Sequence, residues 1–276
     1  MNPATDIPHY EVYAIRYAHD GHRRLAENFL PPLVEPVDEH DLPMPIDFFV
    51  WVVTGGGRTI VVDTGFDRKE AARRGREIVF AVEDGLEALG IPPDTVGDVV
   101  LTHLHWDHAG NDHLFPGARY HVQDREMSFC TGRCMCEPFL RRPFSVEDVT
   151  AMVRRVYAGH VQFHDGTGEI APGVTLHLVG GHSRGLQIVR IWTQHGWLVL
   201  ASDASHYYAN AEQSRPFPLV VDTAEMLSGF ALVRTLGSTP RHFIPGHDPL
   251  VLTRYPLARP GLTHIVRVDV TPHGSN

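Results

Sequence analysis

Leu101-Thr-His-Leu-His-Trp-Asp-His-Ala-Gly-Asn111 sets His103, His105, Asp107 and His108 within six residues. Just upstream, Asp98-Val-Val-Leu-Thr102 is a short apolar, β-rich run preceded by Pro92-Pro93 and Gly97. It reads as a buried strand feeding straight into the cluster. Residues two apart in an extended chain point the same way, so His103 and His105 aim at one point. Asp107 and His108 follow once the chain turns at Gly110-Asn111. Imidazole nitrogens and a carboxylate this close together are ligands for a first-row metal, with zinc the default. One repeat of strand or helix does not bring all four onto a single ion with good geometry. The natural reading is two ions side by side, His103 and His105 on one, Asp107 and His108 on the other. A bare His-x-His would be weak evidence; the full His-x-His-x-Asp-His after a strand is strong.

Composition bounds the rest. A chain of 276 residues fits one large domain, and 43% hydrophobic with 21% charged residues is ordinary for a globular protein. The formal charge of −9 argues against nucleic acid or an anionic membrane as partner. Nineteen histidines is high for this length, in keeping with metal binding. Met1-Asn-Pro-Ala-Thr-Asp6 lacks the basic start and apolar run of a signal peptide, and no run approaches transmembrane length. A cytoplasmic location is the expectation. Cys130, Cys134 and Cys136 follow no common zinc spacing and read as free thiols.

Taken in order, Tyr10 to Tyr17 reads as a strand and the Pro- and acid-rich 31–46 as a surface loop bordering a site. Asp47 to Thr54 and Thr59 to Asp63 form a hairpin around Gly55-Gly-Gly57. Asp63 at its end is either a turn residue or a carboxylate fixing a ligand histidine. Helical spacing runs from Lys69 to Leu89, and Ala118 to Val122 is a further strand. Residues 123–168 read as a cap or insert near the site, with an amphipathic helix from Val146 to Val156. If the chain self-associates, this insert is where a homodimer would form. Strands follow at 174–179, 187–192 and 197–203, a helix at 222–236 and a last strand from Arg241. Strands and helices so mixed, without repeats, fit two β-layers with helices outside.

His182, Asp203 and His247 each stand where an apolar strand stops, and sites gather at such ends because the strand is fixed and the loop is free. Together with the cluster they complete a ligand set. His182 joins His103 and His105, His247 joins Asp107 and His108, and Asp203 bridges with its two oxygens.

His103-x-His105-x-Asp107-His108, Gly180-Gly-His182, Ser202-Asp203 and Pro245-Gly-His247, with the Asp63-Thr-Gly65 turn, resemble the metallo-β-lactamase-fold hydrolases over roughly residues 48–250. Within them the chain looks most like the quorum-quenching N-acyl-homoserine-lactone lactonases and is also similar to 4-pyridoxolactonase. The resemblance implies a four-layer αββα sandwich over 1–276, two Zn²⁺ (with Fe, Mn or Co as alternatives) and a small lactone or ester as substrate. Two such ions lower the pKa of a shared water and polarise a carbonyl, and Asp107 would return a proton to the leaving alkoxide. Asp203 argues against true β-lactamases, which usually carry cysteine there. One departure stands out. The lactonases place a substrate-polarising tyrosine three residues after the bridging aspartate, and here that residue is His206, followed by Tyr207 and Tyr208. Either His206 or a shifted Tyr207 takes the role. Phe48, Phe49 and Trp106 are candidate apolar walls.

The competing readings use the same ligands. Another carbonyl hydrolysis, of a thioester as in glyoxalase II, an ester or a cyclic amide, is the alternative. Phosphodiester hydrolysis on nucleic acid conflicts with the −9 charge. A di-iron redox centre needs a flavin-binding domain that the residues past 260 are too few to supply. A non-catalytic scaffold would keep seven buried ligands at a cost.

Overall fold

Phe48 to Val53 is apolar at every position, and the reason is burial on both faces of one central strand. The computed structural model describes residues 7–30 and 42–273. In it, β2 (Ile46–Gly55) lies between β1 (Glu11–Asp20) and β3 (Arg58–Val62). Phe49, Trp51 and Val53 enter a core shared with the second sheet, while Phe48, Val50 and Val52 enter the core under the helices. Trp51 is fully buried, so Trp51→Ala would cost about 3–5 kcal/mol.

The first sheet runs β13-β1-β2-β3-β5-β6-β7, adding β5 (Asp98–Val100), β6 (Arg119–Gln123), β7 (Val161–His164) and β13 (Ile265–Arg267), with β4 (Glu77–Ile78) on β1. The second runs β12-β11-β10-β9-β8, from β8 (Thr167–Ala171), β9 (Val174–Leu178), β10 (Gln187–Thr193), β11 (Gly196–Ser202) and β12 (Phe243–Pro245). Val174, Leu176, Ile188 and Leu200 of the second sheet share the core of Trp51 and Ile60. Helix α7 (Thr223–Leu236) packs on β11 and contributes Met226, Phe230 and Val233 to that core. On the other flank, α1 (Arg68–Arg74), α2 (Val82–Ala88), α3 (Asp124–Cys130) and α5 (Val146–Tyr157) bury Ala71, Leu86, Phe129 and Met152. This is the mixed αββα sandwich that the resemblance implied. No helix among the described residues is long and apolar enough to cross a membrane.

Strands β3, β5 and β6 are mutually parallel, and so are β11 and β12. Their C-terminal ends therefore fall on one edge, where the loop after β5 meets the loops after β11 and β12.

Two expectations need correction. The Lys69–Leu89 spacing is not one helix. Gly75 adopts the left-handed conformation (φ 63°) that ends α1, its N–H returning to Ala71 and Ala72. The chain then pairs Glu77 and Ile78 with His19 and Ala18 before α2 begins. The insert is also shorter than 123–168. Helices α3, α4 (Pro138–Arg141) and α5 occupy 124–157, but Val161–His164 is a parallel strand of the first sheet and Thr167–Ala171 starts the second. The loop expected at 31–46 lies, for 31–41, outside the described residues.

Candidate active site

The loop after β5 is held from below by one carboxylate. Asp63, at the end of β3, accepts hydrogen bonds from the Thr102 backbone N–H (2.7 Å), the Thr102 hydroxyl (2.8 Å) and the His108 imidazole at Nδ1 (2.7 Å). It is fully buried and has φ of 60°. Both readings of Asp63 hold: the backbone turns there, and the side chain fixes a histidine.

The same device recurs. His182 donates from Nδ1 to the Leu219 carbonyl (2.7 Å) and His247 from Nδ1 to the Asp47 carbonyl (2.8 Å). With Nδ1 occupied, Nε2 of His108, His182 and His247 is the nitrogen left to face the centre. Burial opposes charge on His108 and His247, but the surrounding aspartates outweigh it and raise both rings above the usual imidazole range, so a cation bound there would displace a proton from each. All three Nε2 atoms meet Asp203. Its Oδ2 is 3.2 Å from His182 Nε2 and 3.9 Å from His103 Nε2, while its Oδ1 is 3.0 Å from His247 Nε2 and 3.4 Å from His108 Nε2. Asp107 Oδ2 lies 3.6 Å from His108 Nε2 and 3.8 Å from His247 Nε2. His105 closes the other side, its Nδ1 2.9 Å from His182 Nε2. Four groups result among the described residues, each with its ligand atoms within 4.8 Å of one another: His103–His105–His182, Asp107–His108–His247, His103–His108–Asp203 and His182–Asp203–His206. The first two have the membership expected from the sequence, Asp203 lies between them, and His206 joins the last.

These residues fit metal ions. His103 Nε2, His108 Nε2 and Asp203 Oδ1 are buried and make no hydrogen bond, an arrangement that is costly unless a cation satisfies them. Burial, and after it the neighbouring histidines, push His103 and His105 well below the usual imidazole range, which keeps their lone pairs free. Burial opposes charge on Asp203, but His247, His108 and His206 outweigh it and hold the carboxylate well below its ordinary range.

The predicted catalytic residues separate. His206 reaches Asp203 Oδ2 from Nε2 (2.9 Å), stacks on Phe217 (3.7 Å between ring centroids) and lines the cavity over the ligands. Burial lowers its pKa to about 3, so the ring is neutral at pH 7. Tyr207 is not brought to the cluster. Its hydroxyl donates to the Pro45 carbonyl (2.9 Å), and its ring packs near Phe29. Tyr208 is buried beneath Arg254. Asp107 is the least buried of the seven ligands and faces the cavity. Phe48 and Trp106 line the cavity as expected, whereas Phe49 belongs to the core between the sheets.

Sequence reasoning missed Glu126. Fully buried on α3, it accepts from Leu104 N–H (2.9 Å), Gly185 N–H (2.9 Å) and the Ser183 hydroxyl. One carboxylate thus ties the segment between His103 and His105 to the loop after His182. Gly246 was also unflagged: a Cβ there would sit 2.7 Å from Asp203 Oδ1, so only glycine lets the His247 loop approach this closely. The three cysteines are free and none joins a metal-ligand group among the described residues.

The cavity above the ligands has a volume of about 640 Å³. Phe139, Arg142 and Pro143 of the insert help line it, and Trp106 N–H donates to the Pro143 carbonyl (2.9 Å).

Comparison with known proteins agrees with this geometry. The sequence profile of the Metallo-beta-lactamase superfamily matches residues 49–247. The chain belongs to that superfamily. Among its curated relatives, the N-acyl homoserine lactonase of Bacillus thuringiensis is 30% identical over 135 residues, 48% of either chain. The match thus spans about half the length of that relative. N-acyl homoserine lactonase AiiB of Agrobacterium fabrum is 28% identical over 214 residues, 69% of this chain and 76% of its own. A solved N-acyl homoserine lactone hydrolase, with the product N-hexanoyl-L-homoserine at its catalytic metal centre, shares the fold of this superfamily member. Its TM-score is 0.68 at 22% identity, covering 88% of this chain and 95% of that one.

Proposed function

We propose that this protein is a metal-dependent hydrolase that opens the ring of a small lactone, using two divalent ions with zinc the favoured metal. One observation carries the reading: the two oxygens of Asp203 face two separate ligand triads. His103, His105 and His182 would hold one ion, Asp107, His108 and His247 the other, and Asp203 would touch both. Ions so held lower the pKa of a bound water toward neutrality and draw charge from a carbonyl oxygen. The names of the curated relatives, all N-acyl homoserine lactonases, support a lactone as substrate.

The chain's own groups supply the rest. Phe48 and Trp106 wall the cavity where a small ring would lie. His206 stands where the lactonase pattern has tyrosine; its one N–H, at Nε2, is given to Asp203 Oδ2, so the ring orients that carboxylate beside the substrate rather than donating to the substrate itself. Asp107, a carboxylate on the cavity wall, would take the proton that water gives up as it adds to the carbonyl and pass it to the alkoxide that leaves when the ester bond breaks. The product is a ring-opened hydroxy acid.

The test is proton release from a panel of acyl-homoserine lactones, a simple γ-lactone, a pyridine-fused lactone, a thioester and a phosphodiester. Lactone turnover is expected, and turnover of the thioester or phosphodiester alone would overturn the lactone assignment.

A further inference from the structure

Four arginines, Arg23, Arg74, Arg76 and Arg142, line the same cavity as Asp107, Asp203 and His206. In a chain of charge −9, four of 24 Lys and Arg residues therefore converge on one cavity. Two of them already have a carboxylate partner. Arg74 pairs with Glu70 (2.5 Å) and lies over the Trp106 ring, and Arg76 pairs with Asp20 (3.3 Å). The other two have no carboxylate partner among the described residues. Arg23 donates to neutral oxygens there, the Asn28 side chain and the Glu27 carbonyl. Arg142 is exposed and has no carboxylate partner among the described residues. Of the carboxylates on the cavity wall, Asp107 and Asp203 belong to the ligand set, which leaves only Glu27 among the described residues.

A neutral ring with an alkyl arm makes no use of these donors. A carboxylate or phosphate does, because the guanidinium fork matches two of its oxygens and the bond is charge-assisted. Resting on the hydrolase reading above, we propose that the substrate is an anionic lactone or ester. Its ring lies by Phe48 and Trp106, and its carboxylate or phosphate arm is held by Arg142 and Arg23.

The test measures binding rather than turnover, on the full-length, metal-loaded protein. The probes are three γ-lactams that differ only in the arm: a carboxylate, a phosphate monoester and a methyl ester. Calorimetry should find at least one charged lactam bound about tenfold or more tighter than the methyl ester. Arg142→Gln and Arg23→Gln should each remove most of that advantage, and added salt should shrink it. Arg241→Gln, at an exposed arginine outside the cavity, should keep it. The favoured arm tells carboxylate from phosphate. Equal affinity across the three overturns the proposal. So does an advantage that survives both substitutions, because the anion would then sit on the metal. A protein that prefers a charged lactam yet opens no lactone loses the proposed reaction and keeps the anion site.

Discussion

Asp63 and His108 are joined by a 2.7 Å hydrogen bond across 45 residues of sequence, from the end of one parallel strand to the loop after the next. The same carboxylate holds both the backbone and the hydroxyl of Thr102. One residue therefore sets where the ligand loop starts and which nitrogen of His108 faces the centre. Asp63→Asn keeps the shape but gives up the charge and one acceptor oxygen. Affinity for the ion on the Asp107–His108–His247 side should fall by about 10–100-fold. A chelator-competition titration checks this, and unchanged affinity would remove Asp63 from the site.

His206 and Tyr207 are adjacent in sequence, but only His206 faces the cavity. Tyr207→Phe deletes the hydrogen bond to Pro45, so it should cost about 1 kcal/mol of stability and leave kcat near wild type. His206→Gln, which disturbs the hydrogen bond that orients Asp203, should lower kcat by about 10–100-fold. Because His206 touches Asp203, metal content must be read on the same preparation and should remain at wild-type level. A Tyr207→Phe loss as large as that of His206→Gln would reverse the assignment.

Glu126 positions two ligand loops at once. Glu126→Gln should destabilise the fold by about 1–3 kcal/mol, the range for hydrogen bonds to a charged group. A purely structural role would lower Tm equally with and without metal. A positioning role predicts a larger drop in the metal-loaded protein, since the loops then also lose ligand geometry. Equal drops would contradict it.

Asp148, near the start of α5, gives a pH dependence remote from the ligands. Burial, joined by Glu70, Asp67 and Asp112, raises its pKa to about 7 despite the Ser145 hydrogen bond. Below about pH 3.9 the carboxyl is protonated both folded and unfolded. As pH rises from there to about 7 the unfolded chain releases the proton and the folded one keeps it, so stability falls, levelling off above about pH 7. Asp148→Asn should therefore raise Tm at pH 8 by roughly 2–4 °C, for about 1 kcal/mol after allowance for solvent screening, with a smaller effect at pH 5. An equal effect at both values would contradict this origin.

The ligand residues were legible because chemistry confines them to strand ends in a tight spacing. His103 to His108 announce themselves, and His182, Asp203 and His247 share one context. Strand periodicity and the chain turn separate His103 and His105 from Asp107 and His108, whereas the allotment of His182 to the first pair and His247 to the second is what the resemblance implies. The supporting groups were harder to see. Asp63 at the end of a strand looks the same whether it turns the chain or holds an imidazole, and only the register of β3 against β5 decides it. Glu126 gives no local signal, because its partners Leu104, Ser183 and Gly185 come from two distant loops. Tyr207 looked like a substitute for a catalytic tyrosine, but the chain direction entering α6 (Tyr208–Gln213) turns its ring toward Pro45. Of the cavity arginines only Arg74 and Arg76 are neighbours in sequence; Arg23 and Arg142 come from distant segments, and nothing in the spacing brings them to the same cavity.

Metal content of the wild type and of Asp203→Asn, measured with the lactone rate on the same preparations, tests the central claim most directly. The account predicts two ions per chain and lactone turnover in the wild type, with at least one ion and nearly all activity lost in the variant. A variant that keeps both ions and the full rate would contradict it.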